Sequence, residues 1–460
     1  MSLGVVPLNS AAPRTTSVLI GGLLVAAVAL LAAAGYLLFA QPPGGAPSAV
    51  SASASVTPSA GSNPAGIADP DERVAFWEAR VAANPVDYAS ALNLADAYLD
   101  RSRLRGDLED LTRAQAATDA AREHAPAGRQ VDIRDARIAF ALHEFRRART
   151  IAEQLLASDA EDPVALSVAA DSALELGDDA AAEDLYTRLA AQPQGPATWS
   201  RLGRLSLLHG DVDEAIRLIS HAADAAGSEG FPDATAFYSL QLAELYRGQG
   251  ELEKADQAYN AALDAYPRYP PALAGLGRLR EAQGRRADAI QLLEDATAAL
   301  PLPEFVAALG DLYALDGNER EAERRYALVE RIGELARRTG AVYDRQLVVF
   351  FADHDRKLSD AVTLAQREIE VRTDVYGYDA LAWAQFKAGH IAEASEAADR
   401  ALRLGTLDAR IRYHAGLIAA AQGNTDTARE LLGQAVAREA ALPPLQVSRA
   451  RDALAELDGE

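Results

Sequence analysis

An alanine recurs along this 460-residue chain at Ala114, Ala148, Ala182, Ala215, Ala255, Ala289, Ala322, Ala361, Ala394 and Ala428, in steps of 34, 34, 33, 40, 34, 33, 39, 33 and 34 residues. A period of this size held for more than 300 residues leaves few architectures other than a stack of small helical units. Other columns share the register. Twelve residues before each alanine from the second onward stand Ala136, Ala170, Gly203, Ala243, Gly277, Gly310, Val349, Ala382 and Gly416, small in all but one case. Two small residues at that offset let two helices cross closely. Five residues before the alanine come Gly177, Gly210, Gly250, Gly284, Gly317, Gly389 and Gly423, each suited to the left-handed conformation just past a helix end. Four residues after it, Tyr186, Ile219, Tyr259, Leu293, Tyr326 and Leu432 supply the bulk that fills the crossing. Each period is therefore a helical hairpin with too little core to fold alone, stabilised by burying its face on the next.

These columns resemble the tetratricopeptide repeat. The unit from Pro196 carries Trp199, Leu202, Gly203, Ala215 and Ala222 at the family's characteristic positions. The next two carry Leu242, Ala243, Tyr246, Ala255, Tyr259, Ala262 and Pro267, then Leu276, Gly277, Ala289, Ala296 and Pro301. The resemblance implies an all-α, right-handed superhelical solenoid of about ten hairpins over residues 86–440, with a first capping helix in 69–85 and a second in 441–460. Asp69, Pro70 and Glu72 make a helix start, and the helix through Phe76 and Trp77 covers the first unit. Beyond Pro443 and Pro444, apolar residues alternate with Arg449, Arg451, Asp452 and Glu456, as on a solvent-facing terminal helix. The longer steps place a loop at 227–232 and an extended second helix through Arg331 to Arg338, and an insert between Leu99 and Thr112 lengthens the first unit. Val349 in a small column, and no turn glycine before Ala361, mark residues 340–360 as irregular.

The first 68 residues belong to another environment. Arg14 is their only charged side chain, so residues 15–68 carry none and, with a net −22 for the whole, residues 69–460 carry −23. Ser17 to Ala40 is a 24-residue apolar run, where about 20 suffice to span a bilayer. It predicts a transmembrane signal anchor at 17–40. A removed signal peptide is the alternative, its usual apolar region of roughly 7 to 15 residues being shorter. Arg14 on the N-terminal side and no basic residue until Arg73 place residues 1–16 in the cytoplasm and the body outside it. Residues 41–68, rich in Pro, Ser, Gly and Ala, form a flexible tether with a reach on the order of 30 Å.

The chemistry expected of the body is sparse. The chain has no cysteine, which excludes disulfides, thiolate nucleophiles and cysteine-ligated metals. It also excludes the cysteine pairs that the rubredoxin-like module of some anchored relatives of the repeat family requires. The acidic balance argues against nucleic acid, whose affinity comes from neutralised phosphates. His143 and Glu144 start like a zinc-protease motif, but Arg147 stands where the second histidine belongs. Asp211 and Asp213 fit helix capping, Asp353, His354 and Asp355 a polar turn, and Gly275 and Gly277 lie inside a helix pattern with Arg280 in the third glycine's place. No catalytic, cofactor or metal residue is assigned, and no small-molecule substrate or enzyme activity is expected.

What remains is a surface. In the repeat family the residue after the small position commonly faces the concave groove. That column reads Asp96, Arg137, Asp171, Arg204, Glu244, Arg278, Asp311, Phe350, Trp383 and Leu417. The first seven alternate in sign, either as a ladder of ion pairs between neighbouring helices or as a polar groove for an extended peptide. Phe350 and Trp383, with nearby Tyr378, Phe386 and Tyr413, are either packing or an exposed aromatic patch for a partner segment. The groove residues taken as partner-binding are Arg204, Glu244, Arg278, Asp311, Phe350, Tyr378, Trp383, Phe386 and Tyr413. The Lys and Asn set with which some members of the family clamp a C-terminal carboxylate is absent. The expectation is a membrane-tethered scaffold for other proteins or peptide segments, basic or neutral ones favoured by its charge, with a self-assembling element or a regulatory subunit of a separate enzyme as alternatives.

Overall fold

The computed structural model describes residues 69–459 except 107–108, 126–127 and 340–344. The span at 17–40 and the tether at 41–68 lie outside the described residues, and among those described no helix is long and apolar enough to cross a membrane. The described chain is helical, without strands. In order, α1 is Pro70–Ala83, α2 Tyr88–Arg105, α3 Glu109–His124, α4 Arg129–Ala141, α5 Phe145–Ser158, α6 Pro163–Glu175 and α7 Asp179–Ala190. Then come α8 Pro196–Leu208, α9 Val212–Glu229, α10 Pro232–Gly248, α11 Leu252–Ala265, α12 Pro270–Ala282, α13 Arg286–Ala299 and α14 Pro303–Leu315. The rest are α15 Glu319–Thr339, α16 Arg345–Asp353, α17 Leu358–Val371, α18 Val375–Lys387, α19 Ile391–Ala401, α20 Ala409–Ala421 and α21 Thr425–Val436, a 3-10 turn Glu439–Ala441, and α22 Pro444–Asp458. The twenty helices from α2 to α21 pair in sequence as ten hairpins, hairpin 1 being α2 with α3 and hairpin 10 α20 with α21.

Local chemistry sets these boundaries. Asp69 caps α1 by accepting the N–H groups of Asp71 and Glu72, with Pro70 at the first position, and Asp162 does the same ahead of Pro163, satisfying donors that a helix start leaves orphaned. The turns of hairpins 2 to 10 share one motif. After Glu175, Gly177 at φ 67° lets Asp178 N–H reach Ala173 O at 2.9 Å. Two turns lack glycine. His143 and Asp355 adopt φ 60° and 53° there, with the equivalent bonds Glu144 to Ala139 O and Arg356 to Phe351 O. Gly389→Ala is expected to cost about 1–2 kcal/mol, whereas Asp355→Gly should cost nothing. Urea midpoints check this, and a drop for Asp355→Gly would mean the turn needs its side chain.

The turn at Asp355 explains the irregular repeat. It falls six residues before Ala361 instead of five, the extra residue being absorbed by Lys357, also at positive φ (43°). Val348 then occupies the small position, across from the small Ala365, so the usual small-large order is reversed. The inward position after it belongs to Val349, and Phe350 is one place off the column. In the regular units the expected fit holds: a methyl on Gly203 would approach Ile219 to 2.9 Å, one on Gly310 would approach Tyr326 to 2.6 Å, and one on Gly416 would approach Leu432 to 2.8 Å. The insertion at 227–232 is not a loop. It prolongs α9 to Glu229, where Gly230 at φ 74° ends it and Pro232 opens α10, while α15 runs through 21 residues as the sequence suggests.

Stacking alone does not describe the molecule, because the ribbon coils until its edges meet. Hairpin turns lie along one edge and the loops between hairpins along the other. The turn of hairpin 3 abuts the loop ahead of hairpin 9: Thr373 N–H donates to Glu175 O at 3.0 Å and its hydroxyl to Leu176 O at 2.6 Å. Arg372 pairs with Glu175, and Arg403 grips Asp179 with bonds of 2.6 and 3.0 Å. The turn of hairpin 4 abuts the loop ahead of hairpin 10, where a methyl on Gly210 would come within 2.9 Å of Gly405 O. Arg73 and Arg103 lie 3.6 and 3.7 Å from Asp233, and Arg247 reaches Ala440 O. The seam has its own apolar core, with Val375, Tyr376, Ala401 and Ile411 packed among Leu166, Tyr186 and Leu208.

Candidate interaction groove

The inward column is a ladder of charged pairs, each rung joining one hairpin to the next. Asp96 accepts from Arg134 and Arg137 at 2.7 and 2.9 Å. Asp171 accepts from Arg201 at 2.8 Å, Glu175 from Arg204 at 2.7 Å, Glu244 from Arg278 at 2.9 Å and Asp311 lies 2.8 Å from His354 Nε2. A tyrosine on the second helix completes three of these sites. Tyr186, Tyr259 and Tyr326 donate to Asp171, Glu244 and Asp311 at 2.7, 2.7 and 2.9 Å. The sequence carried this signal unread: where the column is acidic in hairpins 3, 5 and 7, the residue four after the alanine is tyrosine, and where it is arginine in hairpins 4 and 6 it is Ile219 or Leu293.

Burial divides the column. Asp171, Arg204 and Asp311 are closed off, but Asp96, Arg137, Glu244 and Arg278 keep 23–25% of their side chains exposed. Burial would raise the Glu244 carboxyl, yet Arg247 and Arg278 outweigh it and hold it far below the ordinary range. Glu304, part-buried on α14, has no such partner for Oε2, and burial pushes its pKa up to about 7. A carboxyl raised in the folded state binds its proton more tightly there, so its effect on stability is most favourable below pH ~4.3 and is lost as pH rises through 7. Glu304→Gln is therefore expected to match the parent near pH ~4 and to exceed it by roughly 1–3 kcal/mol at pH 8; equal urea midpoints at pH 8 would count against this.

The aromatic residues do not form an exposed patch. Phe350, Trp383 and Tyr413 are buried, and the terminal helix covers the last two: Trp383, Tyr413 and Ala352 share a core with Leu442 and Ala450, against which Phe386, Leu417 and Leu454 also pack. Phe350 lies against Tyr326 and His354. Tyr378, part-buried, accepts a bond from Arg400 at 3.0 Å. Of the polar turns, His143 stacks on Phe145 and its pKa is lowered to about 3 by burial and then by Arg372. Asp353 and His354 serve different partners, and among the described residues no three His, Asp or Glu side chains are placed to hold a metal.

Models of the family described as "Tetratricopeptide repeat" match residues 134–196 and 380–443, 196–268 and 246–312. The chain is built of tetratricopeptide repeats. None of the curated proteins matches the sequence significantly. Among solved structures, PilW, described as a widely conserved type IV pilus biogenesis factor, is 20% identical over 45% of this chain and 94% of its own, with a TM-score of 0.38. The human IFIT1 dimer with PPP-AAAA is 17% identical over 80% and 86%, at 0.45. YrrB, described as a TPR protein with an unusual peptide-binding site, is 19% identical over 37% and 86%, at 0.29. These likenesses concern the repeat fold alone.

Proposed function

We infer that the chain is a non-catalytic scaffold that holds a segment of another protein on the inner face of hairpins 1 to 6 and is tethered outside the cytoplasm by residues 17–40. The observation that supports this most is the run Asp96, Arg137, Glu244 and Arg278, each about one quarter exposed within a groove of fixed helices. A ladder serving stability alone needs no such access. Side chains already oriented by their partners lose little freedom when a peptide backbone or side chain joins them. With −23 on the body, basic or neutral segments are favoured over acidic ones.

Affinity capture from native membranes with the full chain, in parallel with an Arg137→Glu and Arg278→Glu variant, tests the site. Partners held by the groove are expected to disappear from the variant, and an unchanged set would rule the groove out. Protease added to intact cells or spheroplasts tests the placement. Cleavage within 41–68 is expected, and protection of that segment would put the body on the cytoplasmic side.

A further inference from the structure

The groove of the last repeats is filled by the chain's own end, and the two sides of that contact are unequally built. The seat is finished from below. Trp383 stacks on His414 at 4.1 Å and Phe386 at 5.4 Å, Lys387 Nζ lies 5.4 Å from its ring, and its indole N–H donates to Asp353 Oδ1 at 2.7 Å. Tyr413, Ala409, Leu432 and Ala435 complete the floor. The occupant buries little of itself: of the fifteen residues of α22 only Gln446 and Ala450 are buried, and Ser448, Arg449, Arg451, Asp452 and Glu456 face solvent. Among the described residues its side-chain bonds to the hairpins run from Gln446 Nε2 to the same Asp353 Oδ1, at 2.7 Å, and, at its far end, from Arg429 of α21 to Asp458 Oδ1 and Leu457 O at 2.9 and 2.7 Å. It hangs on a connector through Leu442, Pro443 and Pro444, outside the hairpin register.

We propose that this seat is a helix-binding site in which α22 is an exchangeable occupant, and that it accepts from a partner protein an amphipathic helix with a carboxamide at position i, alanine or glycine at i+4, and leucine at i+8 and i+11. The pattern is that of Gln446, Ala450, Leu454 and Leu457. Each position has a chemical reason. Asp353 is an acceptor that already holds the Trp383 N–H, so the side chain facing it must donate, and a carboxylate there meets like charge. The fully enclosed Ala450 leaves no room for a larger residue. Leu454 and Leu457 pack against the core that holds Trp383 and Tyr413, as helix-in-groove recognition requires. A helix tethered by a short connector competes at an effective concentration on the order of millimolar, so an outside helix enters measurably only when α22 is weakened. The site is separate from the inner face of hairpins 1 to 6, and its failure would leave the scaffold reading standing.

The test uses the full chain and a fluorescent peptide of residues 439–459. Ala450→Asp in the chain puts a charge where the seat is closed and should eject α22 while leaving the ten hairpins intact, as a retained helical signal and cooperative melt would show. The peptide is expected to bind this variant at least tenfold more tightly than the parent by fluorescence anisotropy, and a peptide carrying Gln446→Glu should lose that binding. Gln446→Ala in the chain, which removes one bond without adding charge, should give an intermediate gain and decides the matter if Ala450→Asp does not fold. Equal affinity for parent and variants, or binding indifferent to Gln446→Glu in the peptide, overturns the proposal.

Discussion

Replacing Glu175 with alanine is expected to cost about 3–5 kcal/mol, the usual penalty for stranding buried charge. Its two oxygens serve Arg204 at 2.7 Å and Arg372, and these belong to a larger set in which Arg345 joins Glu368 and Asp374 at 2.6 and 2.7 Å. Burial would raise the Glu175 carboxyl, but Arg372 and Arg204 outweigh it and hold it below the ordinary range. The sign follows: a depressed folded pKa contributes stability that is full above pH ~4.3 and fades as pH falls through the folded value. The effect of Glu175→Ala should therefore be largest at neutral pH and shrink in acid. Because Arg372 lies across the seam, the damage should also be local. Native-state hydrogen exchange at Thr373, whose N–H is bonded to Glu175 O, should quicken far more than exchange in α12. Glu153→Ala, which removes a mostly exposed partner of Arg149, should cost under about 1 kcal/mol. A Glu175→Ala chain that melts like Glu153→Ala would show the seam to be held by its apolar contacts alone.

The second large effect distinguishes two glycines of α12 that are two residues apart. A methyl at Gly275 would overlap the Tyr259 ring and come within 2.8 Å of Glu244 Oε1. Tyr259 is fully buried and bonded to Glu244, so it has nowhere to move, and overpacking of this kind costs about 1–3 kcal/mol. Gly277 meets Ala289 O and Leu293 at 3.2 Å, a spacing that small shifts relieve, and hairpins 2, 3, 5 and 9 already carry alanine at that place. Gly277→Ala should gain up to about 1 kcal/mol of helix propensity, less the cost of that relief. Urea midpoints of the two variants are expected to move in opposite directions. A Gly275→Ala chain as stable as its parent would mean Tyr259 can retilt.

The contrast shows what the sequence could and could not say. Gly277, Gly310 and Gly416 were legible because their partners sit at a constant offset within one hairpin. The acidic column with its tyrosines was equally periodic. Gly275 was not, since its reason lies with Tyr259 and Glu244 of the preceding hairpin and recurs nowhere else. The same holds for Glu175, because Arg372 is 197 residues away and no period connects them. Trp383 and Tyr413 are buried beside Leu442 and Ala450, because inward-facing and accessible are different properties. What covers them is a terminal segment whose pattern suits a solvent-facing helix on one side and a groove ligand on the other.

The meeting of the ribbon's edges has a consequence for how such a chain can change. In an open solenoid each unit touches only its neighbours, so units can be gained or lost one at a time. Here the turn at Gly177 must find the loop at Thr373, and the turn at Gly210 the loop at Gly405. One hairpin more or fewer between them would bring these turns against the wrong loops, with Glu175 facing something other than Arg372. The number of hairpins in one circuit is thus fixed like the number of staves in a barrel, and length variation is confined to what lies outside the closed circuit.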